Sequence, residues 1–309
     1  MDVAAPLYGT DAAPVPEGGL GLWFTGAGGA RLRAALFPAK GAARGSVVLS
    51  GGRTEPIEKY YEVISELTAR GFVVLAHDWR GQGLSHRLLS EPRGHAVGFA
   101  DFITDYTALL NTFEARLAKP RIAVGHSMGG CLTALVLGHG ETRFSAAVLS
   151  APMFGIFTKP TPPTLTGFIA QALTAVGQGS ASTPAGQPST FETNALTHDA
   201  GRYARNVGQV EAHPDIGLGP PTWGWLDFAY KAFKELRHGV GITKVQIPVV
   251  VVAAGDDAVV DNVATRLVTA RFPQGRYVEA PGAFHEVLQE TDDIRAVFWR
   301  EFDAVAAGL

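Results

Sequence analysis

Residues 125–130 read Gly125-His126-Ser127-Met128-Gly129-Gly130, a serine hydroxyl set among glycines. They follow an apolar, β-branched run at 121–124 and precede a helical run at 131–137. In a strand–turn–helix context, Gly-x-Ser-x-Gly forms a sharp turn that leaves the hydroxyl exposed at the end of a sheet. Glycine is required there because a side chain would collide with neighbouring backbone. Serine is a poor nucleophile at neutral pH, so it needs a base, and the base needs an acid to orient it. The chemistry this predicts is attack of Ser127 on a carbonyl carbon, followed by transfer of the acyl group.

On this kind of turn the chain order is serine, acid, histidine. Three histidines lie late enough, His213, His238 and His285. His285 falls in Ala280-Pro281-Gly282-Ala283-Phe284-His285-Glu286, just beyond the last expected strand, and is the expected base. For the acid, the apolar run 249–254 opens into Gly255-Asp256-Asp257-Ala258-Val259-Val260-Asp261. Carboxylates at the C-terminal end of a strand stand where α/β sheets place ligands. Asp257 is the expected acid, two residues after Gly255 and three before Val260, with Asp256 as the alternative. A tetrahedral intermediate also needs donors for its oxyanion. The N–H of Met128 is one, and the N–H of Arg53 in Gly51-Gly52-Arg53-Thr54-Glu55 is the expected second. The Arg53 side chain is expected to pair with Glu55 or to stay solvated.

These groups need elements to hold them. Apolar runs at 46–50, 72–76, 121–124, 146–150, 248–254 and 276–280 have no polar face, as expected of parallel strands covered on both sides. Residues 23–25 and 31–37 flank Gly26-Ala27-Gly28-Gly29 and read as a hairpin. Phe99, Phe102, Ile103, Tyr106, Leu110, Phe113 and Leu117 recur at helical spacing, as do Tyr60, Ile64 and Leu67 before a Gly71 stop. Ile294, Val297, Phe298, Phe302 and Val305 predict a last helix. Strand alternating with helix gives a doubly wound, mostly parallel α/β sheet. The rhythm stops from 152 to about 244, where Pro160, Pro162, Pro163, a Gly/Ser/Thr/Pro-rich run at 177–190 and the aromatics Trp223, Trp225, Phe228 and Tyr230 appear. Ordinary connections run about 4–6 residues, so an inserted helical cap is expected. The expected division is a loose arm at 1–20, a core at 21–152 and 245–309, and a cap at 153–244. The cap aromatics are expected mainly as packing, with any that face the cleft suited to an acyl chain.

Composition narrows the alternatives. The 309 residues carry a net charge of -3 and only 18% charged residues, against a nucleic-acid partner, which needs clustered Lys and Arg. One cysteine, Cys131, excludes an internal disulfide and is expected as packing. Met1-Asp2-Val3-Ala4-Ala5-Pro6 lacks a basic n-region, so no secretory signal is expected, and no apolar run reaches a membrane span. His77, His86, Glu91 and His95 lack metal-ligand spacing, so no metal is expected. Asp78-Trp79-Arg80-Gly81 is expected as a structural turn, with Asp78 and Arg80 bound to backbone.

Together with the elbow, several motifs resemble one family. They are Gly52-Arg53-Thr54-Glu55 with Lys59-Tyr60, Asp78-Trp79-Arg80-Gly81-Gln82-Gly83-Leu84-Ser85, Arg205-Asn206, Gly219-Pro220-Pro221-Thr222-Trp223-Gly224-Trp225, Val259-Val260-Asp261-Asn262 and His285-Glu286-Val287-Leu288. The chain is similar to α/β-hydrolases of the lysophospholipase L2 and monoacylglycerol lipase group over about residues 30–305. Two departures are Gly51-Gly52-Arg53, where many lipases have a His-Gly pair, and Phe284, where relatives often carry a polar or basic residue. The resemblance implies Ser127 as nucleophile, Asp257 as acid, His285 as base, and Arg53 and Met128 as oxyanion donors. It implies no cofactor and a lipid monoester substrate. From the absence of targeting and membrane signals a cytoplasmic protein is expected, with peripheral contact of the cap with the inner membrane left open. A peptidase acting on N-terminal residues or an acyltransferase would share these groups. A non-catalytic binding protein would not need them.

Overall fold

In the computed structural model, which describes residues 3–158, 160–184 and 190–309, the chain begins as an antiparallel meander. It comprises β1 (Val3–Ala4), β2 (Leu20–Thr25) and β3 (Arg31–Phe37). The alternating part follows: β4 (Gly45–Ser50), α1 (Tyr61–Ala69), β5 (Phe72–His77), α2 (Ala100–Phe113), β6 (Arg121–His126), α3 (Met128–Gly138) and β7 (Ala146–Ser150). Three helices come next, α4 (Pro163–Ala175), α5 (Ala200–Ala212) and α6 (Trp223–His238), and then β8 (Val249–Ala254), α7 (Asn262–Thr269), β9 (Gly275–Ala280) and α8 (Asp292–Ala307). Part of the 177–190 run, residues 185–189, and the first two residues of the arm lie outside the described residues.

The strands form one sheet in the order β1-β2-β3-β5-β4-β6-β7-β8-β9, parallel from β5 onward across to β9. Every residue of β4, β6, β7 and β8 is buried, whereas β9, at the edge, buries only Ala280. The register pairs Ser50 with Gly125, His126 with Ser150 and Ser150 with Val252. The central strands therefore end at one level, and the loops that leave them share one rim. In α2 the buried positions Phe102, Tyr106, Leu109, Leu110 and Phe113 follow the expected stripe. α1 stops where Gly71 takes φ +85, a conformation glycine adopts without penalty.

The arm is not loose over residues 3–20. The N–H of Ala5 donates to Gly21, Arg33 Nη1 donates to the Pro6 carbonyl at 3.1 Å, and the Tyr8 ring stacks on His213 at 4.2 Å. Gly21 permits this approach, since a Cβ there would stand 2.3 Å from the Ala5 carbonyl oxygen. Arg33 itself is fully buried between Glu58 (2.7 Å) and Asp78 (2.6 Å). Asp78 also accepts from the N–H groups of Ile57 and Leu84, so its role is structural, with a guanidinium partner added to the expected backbone. Arg80 pairs mainly with Asp105, at 2.8 Å, and also donates to the Ala27 carbonyl.

Candidate active site

Ser127 links β6 to α3 with φ 50 and ψ -118, a positive-φ conformation that a side-chain-bearing residue rarely adopts. Its surroundings hold it there. The Ser127 N–H donates to Ser150 at 3.1 Å, and its carbonyl accepts from Cys131 and Met153 at 3.0 and 2.9 Å. The flanking glycines let backbone pass close by: a Cβ on Gly129 would lie 2.2 Å from the Ser50 carbonyl oxygen, and one on Gly125 would lie 2.9 Å from that of Gly129.

The rim brings the two other predicted groups to this hydroxyl. Ser127 Oγ lies 2.9 Å from His285 Nε2, and His285 Nδ1 lies 2.8 Å from Asp257 Oδ2. The other carboxylate oxygen of Asp257 accepts from the N–H groups of Val259 and Val260 at 2.8 and 2.9 Å. Burial pushes the Asp257 carboxyl up. The hydrogen bond and charge of His285 and the two N–H groups outweigh that and hold it below its ordinary value. An ionised Asp257 places the proton on Nδ1 and leaves Nε2 free to accept from Ser127. Asp256, by contrast, is exposed. His213 sits against Tyr8, and His238 is exposed at the end of α6.

The Gly51-Gly52-Arg53 loop lies directly beside the hydroxyl: a Cβ on Gly52 would come 3.0 Å from Ser127 Cβ. Met128 opens α3, where first-turn N–H groups have no partner within the helix. The loop and the first turn of α3 thus both lie next to Ser127.

A buried ionic cluster ties this loop to the segment of His285, and nothing in the sequence analysis anticipates it. Glu55 accepts from the Gly52 N–H, from Tyr60 at 2.5 Å and from Lys59 at 2.9 Å. Lys59 also donates to Glu286, the residue after His285. His126, the residue before Ser127, meets Glu55 at 3.0 Å through Nδ1 and the His285 carbonyl at 3.2 Å through Nε2. Both ring nitrogens thus face acceptors, which favours the doubly protonated ring. Burial pushes His126 down, but the Glu55 charge and hydrogen bond raise it on balance. Burial likewise pushes Glu55 up, and His126 and Lys59 bring it well below the carboxylate range. The available signal was adjacency, because His126 and Glu286 neighbour Ser127 and His285 in the chain.

Arg53 departs from expectation. Glu55 is occupied by Lys59, Tyr60, His126 and Gly52, so Arg53 pairs with no carboxylate among the described residues, and it is half-buried rather than solvated. Its Nη2 donates to the Gly219 carbonyl, and its guanidinium lies 5.5 Å from the centre of the Trp225 ring.

A cavity of about 520 Å³ opens on Ser127 and His285. Ile156, Ile169, Trp223, Trp225, Leu226 and Val259 give it a largely apolar wall. The α6 aromatics therefore divide. Phe228 is fully buried against Phe102 at 5.1 Å, whereas Trp223 and Trp225 line the cavity. Cys131 is buried, its thiol pushed up by burial alone. Among the described residues no group of three His, Cys, Asp or Glu could hold a metal, and no helix is long and apolar enough to cross a membrane.

Comparison with known proteins places these features in context. Residues 41–292 match the family described as "Serine aminopeptidase, S33". The chain is 34% identical over 273 residues to lysophospholipase L2 of Escherichia coli, covering 81% of this chain and 77% of that one. It is 30% identical over 264 residues to a probable lysophospholipase L2 of Haemophilus influenzae, covering 84% and 83%. Among solved structures, a soluble variant of monoglyceride lipase from Saccharomyces cerevisiae superposes with a TM-score of 0.75 at 20% identity, over 97% of this chain and 98% of that one.

Proposed function

The chain belongs to the serine aminopeptidase S33 family of α/β-hydrolases and is a carboxylic ester hydrolase, and from that premise we propose that it cleaves lipid monoesters, with lysophospholipids and monoacylglycerols as the substrate class. The observation that carries the reading is the chain of bonds from Ser127 through His285 to Asp257 at the mouth of an apolar cavity. Ser127 Oγ attacks the ester carbonyl carbon as His285 Nε2 takes its proton, and Asp257 holds the imidazolium. The oxyanion lies between the N–H groups of Met128 and Arg53. Collapse breaks the bond to the alcohol, which leaves with the proton from His285. Water then gives a proton to His285 and its oxygen to the acyl carbon, and the fatty acid departs as Ser127 recovers its proton. Residues 153–244 act in this reading as a cap on the core formed by 21–152 and 245–309, supplying the apolar wall for the acyl chain.

An aminopeptidase would share this mechanism, but it needs a free carboxylate to hold the substrate ammonium. The two acids in the cavity wall, Glu55 and Glu286, are both held by Lys59. That favours the ester reading. Ser127→Ala is expected to lower turnover of p-nitrophenyl acyl esters by about 10⁶-fold and to abolish labelling by a fluorophosphonate. Unchanged turnover in that variant would overturn the assignment.

A further inference from the structure

The backbone of Arg53 has a place in the mechanism above, while its side chain has none. The guanidinium lines the cavity that holds Ser127. Of its five N–H donors, one on Nη2 goes to the Gly219 carbonyl, and Nε is sealed from solvent without an acceptor. Gly94 leaves room for it, since a Cβ there would stand 3.0 Å from Nε. Arg33, Arg80, Arg121, Arg202 and Arg295 each have a carboxylate partner. Arg53 has none among the described residues, and burial alone lowers its pKa to about 10, which leaves it charged at neutral pH. The acids nearby cannot relieve it, because Lys59 and His126 already engage them. The guanidinium is half-buried, with the Gly219 carbonyl and the Trp225 ring beside it but no negative charge, so an anion that reaches it gains a partner without displacing one. In the wall of a substrate cavity, the anion that can arrive is the substrate's own.

We propose that the Arg53 side chain reads the phosphodiester of a lysophospholipid head group, and so sets a preference for phosphate-bearing monoesters over neutral monoacylglycerols. The inference rests on the ester-hydrolase reading of the same site. A guanidinium suits the task because its planar fork gives parallel hydrogen bonds to two phosphate oxygens, which an ammonium cannot match. The phosphate docks at Arg53, the acyl chain follows the wall of Ile156, Ile169 and Leu226, and the ester bond between them meets Ser127.

The test measures kcat/KM for octanoyl lysophosphatidylglycerol and for monooctanoylglycerol in the wild type, Arg53→Gln and Arg53→Lys, with fluorophosphonate labelling as the check that the site is folded. A disturbance of the loop backbone acts on both esters, so the ratio isolates the side chain. The ratio of phosphate-bearing to neutral substrate is expected to fall by about tenfold or more in Arg53→Gln, chiefly through KM, and by less in Arg53→Lys. An unmoved ratio overturns the proposal. So does an unmoved ratio combined with relief of octanoate inhibition in Arg53→Gln, which would assign the guanidinium to the product carboxylate. A wild-type protein that hydrolyses neither ester would overturn the parent reading itself.

Discussion

Two adjacent aspartates at the end of β8 show how one peptide step decides which carboxylate meets the imidazole. Asp257 turns inward to His285 and the N–H groups of Val259 and Val260, while Asp256 is exposed to water. Asp257→Asn keeps the shape but removes the charge that fixes the imidazole tautomer, so kcat on p-nitrophenyl esters should fall by about 10⁴-fold. Asp256→Asn should stay within about twofold, as for surface changes that touch nothing. A larger loss in Asp256→Asn than in Asp257→Asn would reverse the assignment. That Ser127, Asp257 and His285 come together was legible because each follows an expected strand, a local pattern. The partners of Arg53 and Glu55 were not, because which acid meets which base depends on loops that meet only in the fold. Lys59 takes Glu55 from four residues away, and Arg53, two residues from the same acid, goes to Gly219 instead.

Helices reach across the molecule by the same logic. Glu62 on α1 receives Arg202 of α5 at 2.6 Å, Arg205 of α5 at 2.7 Å and Arg295 of α8 at 3.3 Å. Burial pushes its carboxyl up, yet the hydrogen bonds and charges of the three arginines bring it from 4.5 to about 2. A carboxyl lowered in the folded state is protonated first in the unfolded chain as pH falls. Its contribution to stability is therefore complete above 4.5 and is lost as pH descends toward about 2. Glu62→Gln should lower the melting temperature near neutral pH, and its deficit should shrink across that window until the two proteins converge. Thermal melts at stepped pH measure this, and a constant deficit would show that Glu62 acts through packing alone. The stripe of α2 and the Gly71 stop were legible from period and punctuation. The junction of α5 with α1 was not, since Arg202 and Glu62 lie 140 residues apart and neither departs from an ordinary helix surface.

The whole molecule is one sheet with an interruption between β7 and β8, and that interruption carries an unusual face. α4 has no charged residue, and its Leu165 and Phe168 are 49% and 68% exposed. Two exposed apolar side chains on an uncharged helix that also lines the cavity through Ile169 make lipid contact here a reading that can be tested. Phe168→Asp should lower co-sedimentation with phosphatidylglycerol vesicles by about tenfold, while turnover of a soluble ester stays level. Equal sedimentation would place any lipid contact elsewhere. The alternating core was legible because buried parallel strands have so few compatible residue types. The insertion showed mainly as broken rhythm, because α4 mixes Thr, Gly and Ala with little period, although α6 carries a helical stripe of its own at Trp225, Phe228, Ala229, Ala232 and Leu236. The arm looked loose by composition and is held by Gly21, Arg33 and His213 from three parts of the fold. The order of these pieces along the chain also bears on synthesis. Ser127 and His285 are separated by 158 residues. At about 5–20 residues per second, the elbow serine waits roughly 8–30 seconds on the ribosome before its base is even made. On the proposed roles, a nascent chain that has completed β6 and α3 carries Ser127 without its base, and so does every truncation short of the last loop. The proposed chemistry is thereby withheld until the loop beyond the final strand, Gly275–Ala280, has been made.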